Sequence, residues 1–173
     1  MFADDCVSDK LLVDFLKEIK EDVIAIKDTV WPPRPKALAA LSDIDPSKKV
    51  LLLDLDETLV HSQFDQVKKQ LHVKVRPFAR EFLEHCSKLW NLVAFTASNR
   101  TYAESILDRL DPNNNLVSNI LSREHCHPHG NRFVKDFRMV AGPLTPLDRI
   151  VLIDNRVSSF GMNLTNGIPI FPF

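Results

Sequence analysis

Apolar side chains recur over residues 8–30 at Leu12, Leu16, Ile19, Val23, Ile26 and Val30, in alternating steps of four and three. That period predicts an amphipathic helix with its apolar positions along one seam. The seam is shorter than a coiled coil requires, so it predicts a helix docked on its own domain, with a partner helix or a second copy as the other occupant. Trp31-Pro32-Pro33-Arg34-Pro35 stops the pattern, because closely spaced prolines remove backbone donors and force extended geometry. Residues 1–30 are therefore expected to form an N-terminal amphipathic helix and 31–47 a proline-rich linker.

Beyond the linker the period changes. Val50 to Leu53 is a continuous apolar run, the pattern of a strand buried on both faces in a parallel sheet. Gln70 to Val75 alternates loosely as a short strand, and Pro77 opens a predicted helix carrying Phe78, Phe82, Leu83 and Leu89. Leu92 to Phe95 reads as a second buried strand. Arg100 to Leu110 reads as a helix with Tyr102, Ile106, Leu107 and Leu110 on its apolar face, closed by the turn Asp111-Pro112-Asn113. Leu116 to Leu121, Arg149 to Ile153 and Ile168 to Ile170 complete the strands. Strands alternating with helices predict an α/β domain over residues 48–173, a mainly parallel sheet flanked by helices, with the ligand site beyond the strand carboxyl ends.

At 173 residues with 45% hydrophobic content, the chain can bury one substantial core. Its 22 basic and 23 acidic side chains leave a net charge of −1, so no direct nucleic-acid binding and no membrane attraction are expected. Cys6, Cys86 and Cys126 lack the spacing of a disulfide framework and suit a reducing compartment. No apolar run is long enough to span a bilayer, and Met1-Phe2-Ala3-Asp4-Asp5 is acidic where a leader would be basic. A nuclear or cytoplasmic location is the expectation.

Chemistry concentrates where the first buried strand ends, in Asp54-Leu55-Asp56-Glu57-Thr58. Side chains alternate along an extended chain, so Asp54 and Asp56 face one cleft while Leu55 points into the core. Two carboxylates so close repel, and one would protonate unless a cation or a lysine lay between them; the pair implies a hard cation such as Mg²⁺.

The run Asp54 to Ser62 resembles the first motif, DxDx(T/V), of the haloacid-dehalogenase-like superfamily, and specifically its FCP/SCP-type, or NLI-interacting-factor-like, protein serine phosphatases. Thr96 after Phe95 resembles the second motif, Lys135 the third, and Asp154-Asn155 after Ile150 to Ile153 the fourth, so the likeness spans about residues 48–172 in motif order. The resemblance implies a Rossmann-like fold without a large cap domain and a Mg²⁺-dependent phosphatase acting on phosphoserine or phosphothreonine in a protein. A peptide like the RNA polymerase II C-terminal domain is one such substrate.

In that reading Asp54 is the nucleophile that forms an aspartyl phosphate, and Asp56 is the general acid and then the general base. Thr96 donates to a phosphoryl oxygen and Lys135 balances the charge of nucleophile and phosphate. The family implies Mg²⁺ ligation by Asp54, the backbone carbonyl of Asp56, Asp154 and Asn155. Taken singly, Thr96 could as well bond its own turn, Lys135 could be a solvated amine, and Asp154-Asn155 could be a turn pair; motif order favours the site. Thr58 supports the strand end.

Arg123 matches a family arginine that helps hold substrate. It opens Arg123-Glu124-His125-Cys126-His127-Pro128-His129, whose three imidazoles and thiol invite a zinc reading, but adjacent ligands around Pro128 enclose a tetrahedral ion poorly. Two departures bear on substrate. The segment between Thr58 and Pro77 is short where SCP-type members carry a longer β-insert that helps form the peptide pocket, and the chain ends soon after Ile170 where the family continues into further helix. Phe171-Pro172-Phe173 is expected to cover core or mark an edge. A small-molecule phosphomonoesterase of the same superfamily and a non-catalytic protein-binding module on this fold are the alternatives.

Overall fold

The computed structural model describes residues 8–31, 33, 41, 44–130, 132–142 and 145–173. In chain order these form α1 (Asp9–Lys27), β1 (Lys49–Leu53), β2 (Val60–Asp65), β3 (Gln70–Val75), α2 (Ala79–Ser87), β4 (Trp90–Phe95), α3 (Arg100–Leu110), β5 (Val117–Leu121), β6 (His127–His129), β7 (Arg132–Val134), β8 (Ile150–Asp154) and β9 (Gly167–Pro169). Most of the proline-rich linker, including Pro32 and residues 34–40, lies outside the described residues, as does Cys6.

Five strands pair in the order β5-β4-β1-β8-β9, every neighbouring pair parallel. The expected α/β sheet is therefore present. β1 lies at its centre because both its faces are apolar: Val50 and Leu52 enter one core cluster with Phe95, Phe137 and Ile150, while Leu51 and Leu53 enter the other with Leu83 and Ile106. Leu53 is opposite Ala94 on one side and Ile153 on the other, so β1, β4 and β8 end level. Whatever follows each strand is delivered to one edge.

The helix around residues 8–30 forms, and docks on a stripe that shares only Ile19 and Ile26 with the expected seam. Phe15, Ile19, Asp22 and Ile26 face the domain, while Leu12, Leu16, Val23 and Val30 are exposed. The stripe keeps the four-three-four spacing but includes an aspartate, which an apolar pattern skips; Asp22 is there because the Ser158 N–H donates to its Oδ2 at 2.9 Å. Gly161 permits the close approach, since a Cβ there would lie 2.9 Å from Ile26 Cγ1 and 3.0 Å from Trp31 Cζ2.

Two hairpins were not foreseen. β2 and β3 pair antiparallel from Val60↔Val75 to Asp65↔Gln70, so the short segment after the first motif is a complete hairpin. Its first strand, Val60-His61-Ser62-Gln63-Phe64, has almost no apolar alternation to announce it. β6 and β7 form the second, with Gly130 at φ 59 in its turn. α2 starts at Ala79 rather than at Pro77, after Phe78 in a left-handed conformation at φ 64, and Phe78 and Leu89 stay exposed while Leu83 enters the core.

Candidate active site

Asp54 follows β1 directly, and its N–H donates to Ile153 O at 3.0 Å, continuing the parallel ladder one residue past the strand. The chain then turns: the N–H groups of Thr58, Leu59 and Val60 all donate to Leu55 O, and Glu57 takes φ 60 at the bend. Leu55 is fully buried. The alternation expected of Asp54-Leu55-Asp56 is thus realised, and both carboxylates line a cavity of about 330 Å³.

Lys135 closes the floor of that cavity. Its side chain is only 1% exposed, and Nζ donates to Asp54 Oδ1 at 2.5 Å and to Asp154 Oδ2 at 2.7 Å. A buried ammonium survives here because two carboxylates and the Phe95 ring, 5.8 Å from Nζ, replace its water. Burial pulls the ammonium pKa down, yet Asp154 and Asp54 together outweigh that and hold it above its ordinary value. Burial pushes Asp54 the other way, up to about 6, with Lys135 opposing and Asp154 reinforcing the rise. The Lys135 N–H donates to Ser159 O at 2.7 Å, which fixes the stem.

Thr96 follows β4, fully buried, with its N–H donating to Leu121 O. Its hydroxyl oxygen accepts the Ser98 N–H at 3.0 Å, so the turn-bonding role is filled by the oxygen while the hydroxyl hydrogen stays available to the cavity. Asp154 ends β8, its Oδ1 accepting the Arg156 N–H at 2.7 Å. Asn155 is tied to the first motif: its N–H donates to Thr58 Oγ1 at 3.2 Å, and Thr58 Oγ1 reaches Asn155 Oδ1 at 3.5 Å. Thr58 thereby joins the ends of β1 and β8.

Asp56 is gripped by hydroxyls that the sequence analysis did not single out. Tyr102 Oη donates to Asp56 Oδ1 and Ser98 Oγ donates to Oδ2 at 3.0 Å, while Ser62 Oγ, 3.3 Å from Oδ1, donates to Tyr102 Oη at 2.6 Å. Burial and the bond to Asp56 hold the Tyr102 phenol above its ordinary pKa, so it stays protonated and donates. Its only sequence signal was a place on the apolar face of α3.

Arg123 is exposed beside the cavity rather than in its lining. Its Nε–H donates to Ala97 O at 2.7 Å and its guanidinium lies over Phe133 at 5.0 Å, and both of those partners line the cavity. Two other arginines, Arg132 and Arg156, do line it. In the His/Cys loop, Cys126 Sγ is buried and donates to Thr96 O at 3.6 Å, Ser122 N–H donates to His125 Nδ1 at 3.2 Å, and His129 lies against Trp31. The tail crosses the first-motif turn: Phe173 N–H donates to Glu57 O at 2.9 Å, and Arg76 Nη2 donates to Phe171 O at 2.6 Å.

Residues 49–173 match the family described as NLI interacting factor-like phosphatase. CTD small phosphatase-like protein 3 of Caenorhabditis elegans is 37% identical over 134 residues, covering 69% of this chain and 46% of the relative. Phosphatase PSR1 of Saccharomyces cerevisiae is 33% identical over 157 residues, covering 83% of this chain and 34% of its own. CTD nuclear envelope phosphatase 1 of Xenopus tropicalis is 30% identical over 167 residues, covering 84% of this chain and 66% of the relative. The chain spans less than half the length of the first two. Among solved structures, Fcp1, an essential RNA polymerase II CTD phosphatase, has a TM-score of 0.60 at 20% identity, over 74% of this chain and 43% of its own, and shares the fold. With the family matched from β1 to the last residue, the chain belongs to the NLI interacting factor-like phosphatases, of the FCP/SCP type within the haloacid-dehalogenase-like superfamily.

Proposed function

We propose that this chain hydrolyses phosphoserine or phosphothreonine in a protein substrate, with Asp54 as the nucleophile. The observation that carries this reading is the setting of Asp54: a nearly buried carboxylate in the cavity lining, charge-balanced by Lys135, with a second, hydroxyl-gripped carboxylate beside it. An Asp54 oxygen attacks phosphorus in line, the ester P–O bond breaks, and Asp56 gives its proton to the leaving serine or threonine oxygen. Asp56 then takes a proton from the water that attacks the aspartyl phosphate, releasing inorganic phosphate and restoring Asp54. Tyr102, Ser62 and Ser98 keep Asp56 in place for both steps. The Thr96 hydroxyl and Lys135 balance charge on the phosphoryl oxygens.

Asp54, Asp154, Asn155 and the Asp56 carbonyl would hold Mg²⁺. The donor set fits, because every donor is a hard oxygen. Among the described residues no three His, Cys, Asp or Glu side chains gather into a metal group by themselves, so carbonyl, amide and water must complete the shell, as Mg²⁺ favours. Once bound, the cation neutralises phosphoryl charge and orients the group for attack.

A protein substrate is favoured over a small ester because hairpin β2–β3, and no large cap, follows the first motif. Relatives named for the CTD make a peptide of the RNA polymerase II C-terminal-domain type the first to test, and a nuclear or cytoplasmic phosphoprotein the expected partner. No helix among the described residues is long and apolar enough to cross a membrane.

The test is steady-state turnover of phosphopeptides against sugar and nucleotide phosphates, with and without Mg²⁺, for the parent and Asp54→Asn. Phosphopeptide hydrolysis that needs Mg²⁺ and disappears in Asp54→Asn is expected, as is beryllium fluoride binding by the parent alone. Equal turnover by Asp54→Asn would overturn the nucleophile assignment, and preference for sugar or nucleotide phosphates would overturn the substrate class.

A further inference from the structure

Two arginines with no part in the proposed chemistry line the same cavity and come from separate elements. Arg132 opens β7, and Arg156 follows Asn155 after β8. Most other guanidinium groups near the site are committed elsewhere. Arg123 is bound to Ala97 O and lies over Phe133, Arg76 is bound to Phe171 O, and Arg138 forks onto Asp136. Arg156 is exposed, and among the described residues its hydrogen bonds are made by the backbone, its N–H donating to Asp154 Oδ1 at 2.7 Å and its carbonyl accepting the Ser159 N–H at 3.1 Å. Arg132 is held only loosely, its Nη1 3.5 Å from Asp22 Oδ1 with 58% of its side chain exposed.

Lys135 is already shared between Asp54 and Asp154 and lies on the cavity floor, so it has no free charge for a second anion. The arginine forks do. A guanidinium offers parallel N–H donors that match a carboxylate or a phosphate, and the loose contact with Asp22 can yield to an incoming anion. Asp22 also accepts the Ser158 N–H, so α1 places a fixed carboxylate next to Arg132 at the cavity edge.

We propose that Arg132 and Arg156 form a second anion subsite, which selects protein substrates bearing a phosphate or carboxylate side chain close to the scissile phosphoserine or phosphothreonine. The proposal rests on the phosphatase reading above and specifies its substrate class. Both arginines line the same cavity of about 330 Å³ as Asp54, and an extended peptide advances about 3.3 Å per residue, so the second anion is expected on a near neighbour of the scissile residue.

The test uses peptides with one scissile phosphoserine and a neighbour that is phosphoserine, Glu, Gln or Lys. In the parent, kcat/KM is expected to favour the phosphoserine neighbour over Gln by roughly ten-fold and Glu by a few-fold, mostly through KM and less at high salt. In R132A/R156A the ratios fall to about one; in R132E/R156E a Lys neighbour outranks Glu. The phosphoserine and Glu arms decide whether the subsite reads phosphate or any anion. Equal rates for all neighbours in the parent, or unchanged ratios in R132A/R156A, would overturn the subsite. Binding of the same peptides to Asp54→Asn protein needs no chemistry and reads the subsite alone. A neighbour preference in binding without turnover by the parent would overturn the phosphatase reading and leave the subsite standing.

Discussion

Replacing Lys135 with Met tests the electrostatic logic of the cavity floor most directly. The substitution keeps most of the volume of a side chain that is 1% exposed, but removes a donor 2.5 Å from Asp54 and 2.7 Å from Asp154. Breaking one side of a buried ion pair leaves uncompensated charge and costs about 3–5 kcal/mol. The pH dependence is the sharper signature. Asp54 lies at about 6 with Lys135 opposing the rise, so losing the lysine carries it higher. An acid whose folded pKa is raised binds more protons folded than unfolded, so its contribution to stability is present at low pH. That contribution is lost as pH climbs from the unfolded value, near 4, through the folded one. In the parent this loss ends near pH 7. In the variant it continues, at up to about 1.4 kcal/mol per pH unit, so the gap between the proteins should be about 1–2 kcal/mol near pH 5.5 and about 3–5 near pH 8. Urea unfolding in a chelator keeps divalent ions out, and with a slope of about 2 kcal/mol/M the larger gap moves the midpoint by roughly 2 M. Adding Asp54→Asn to Lys135→Met should recover part of the loss by removing one stranded charge. A gap under about 1 kcal/mol near pH 8, or one that does not narrow on acidification, would refute the account.

Tyr102→Phe removes one donor to Asp56 and should lower kcat/KM by roughly five- to ten-fold, about 1 kcal/mol, with a nearly unchanged melting temperature; unchanged kinetics would deny Tyr102 a positioning role. Burial, with Lys135 opposing and Asp54 and Asp154 adding, pushes the Cys126 thiol up to about 11. Its thiolate fraction near pH 8 is then about one in a thousand, so mass mapping after iodoacetamide treatment should show Cys86 modified before Cys126. Gly161→Val drives a side chain into Ile26 and Trp31 and should cost about 1–3 kcal/mol. Faster hydrogen exchange confined at first to α1 and the 157–166 segment would show that the helix has lifted, and unaltered exchange there would contradict the docking.

Much of the architecture was legible because parallel sheets write themselves plainly into sequence. A strand buried on both faces must be apolar at every position, which marks Val50 to Leu53 and Leu92 to Phe95 without any partner being known. Hairpin β2–β3 was half hidden because one strand of an exposed hairpin has little apolar pattern, and its partner supplies the register. On α1, the apolar seam shared Ile19 and Ile26 with the docked stripe but left out Phe15 and Asp22, and Asp22 is chosen by an amide on a distant loop and not by hydrophobicity.

Residue types and their local order put Asp54, Asp56, Thr96, Asp154 and Asn155 at or just past the ends of predicted strands, and the family resemblance named them and Lys135 as candidates. For Asp54, Thr96 and Asp154 the position follows from backbone geometry, since a side chain just past a predicted buried strand has to emerge at the sheet edge. Only the folded chain decided which groups meet there: Lys135 with an aspartate 81 positions away, Tyr102 with an aspartate 46 away, and a helix aspartate with an amide 136 away. Polar pairings at such separations leave no period in one dimension, because they are set by crossovers and strand register that bring distant segments together, and so Tyr102, Arg132 and Arg156 came into view only in three dimensions.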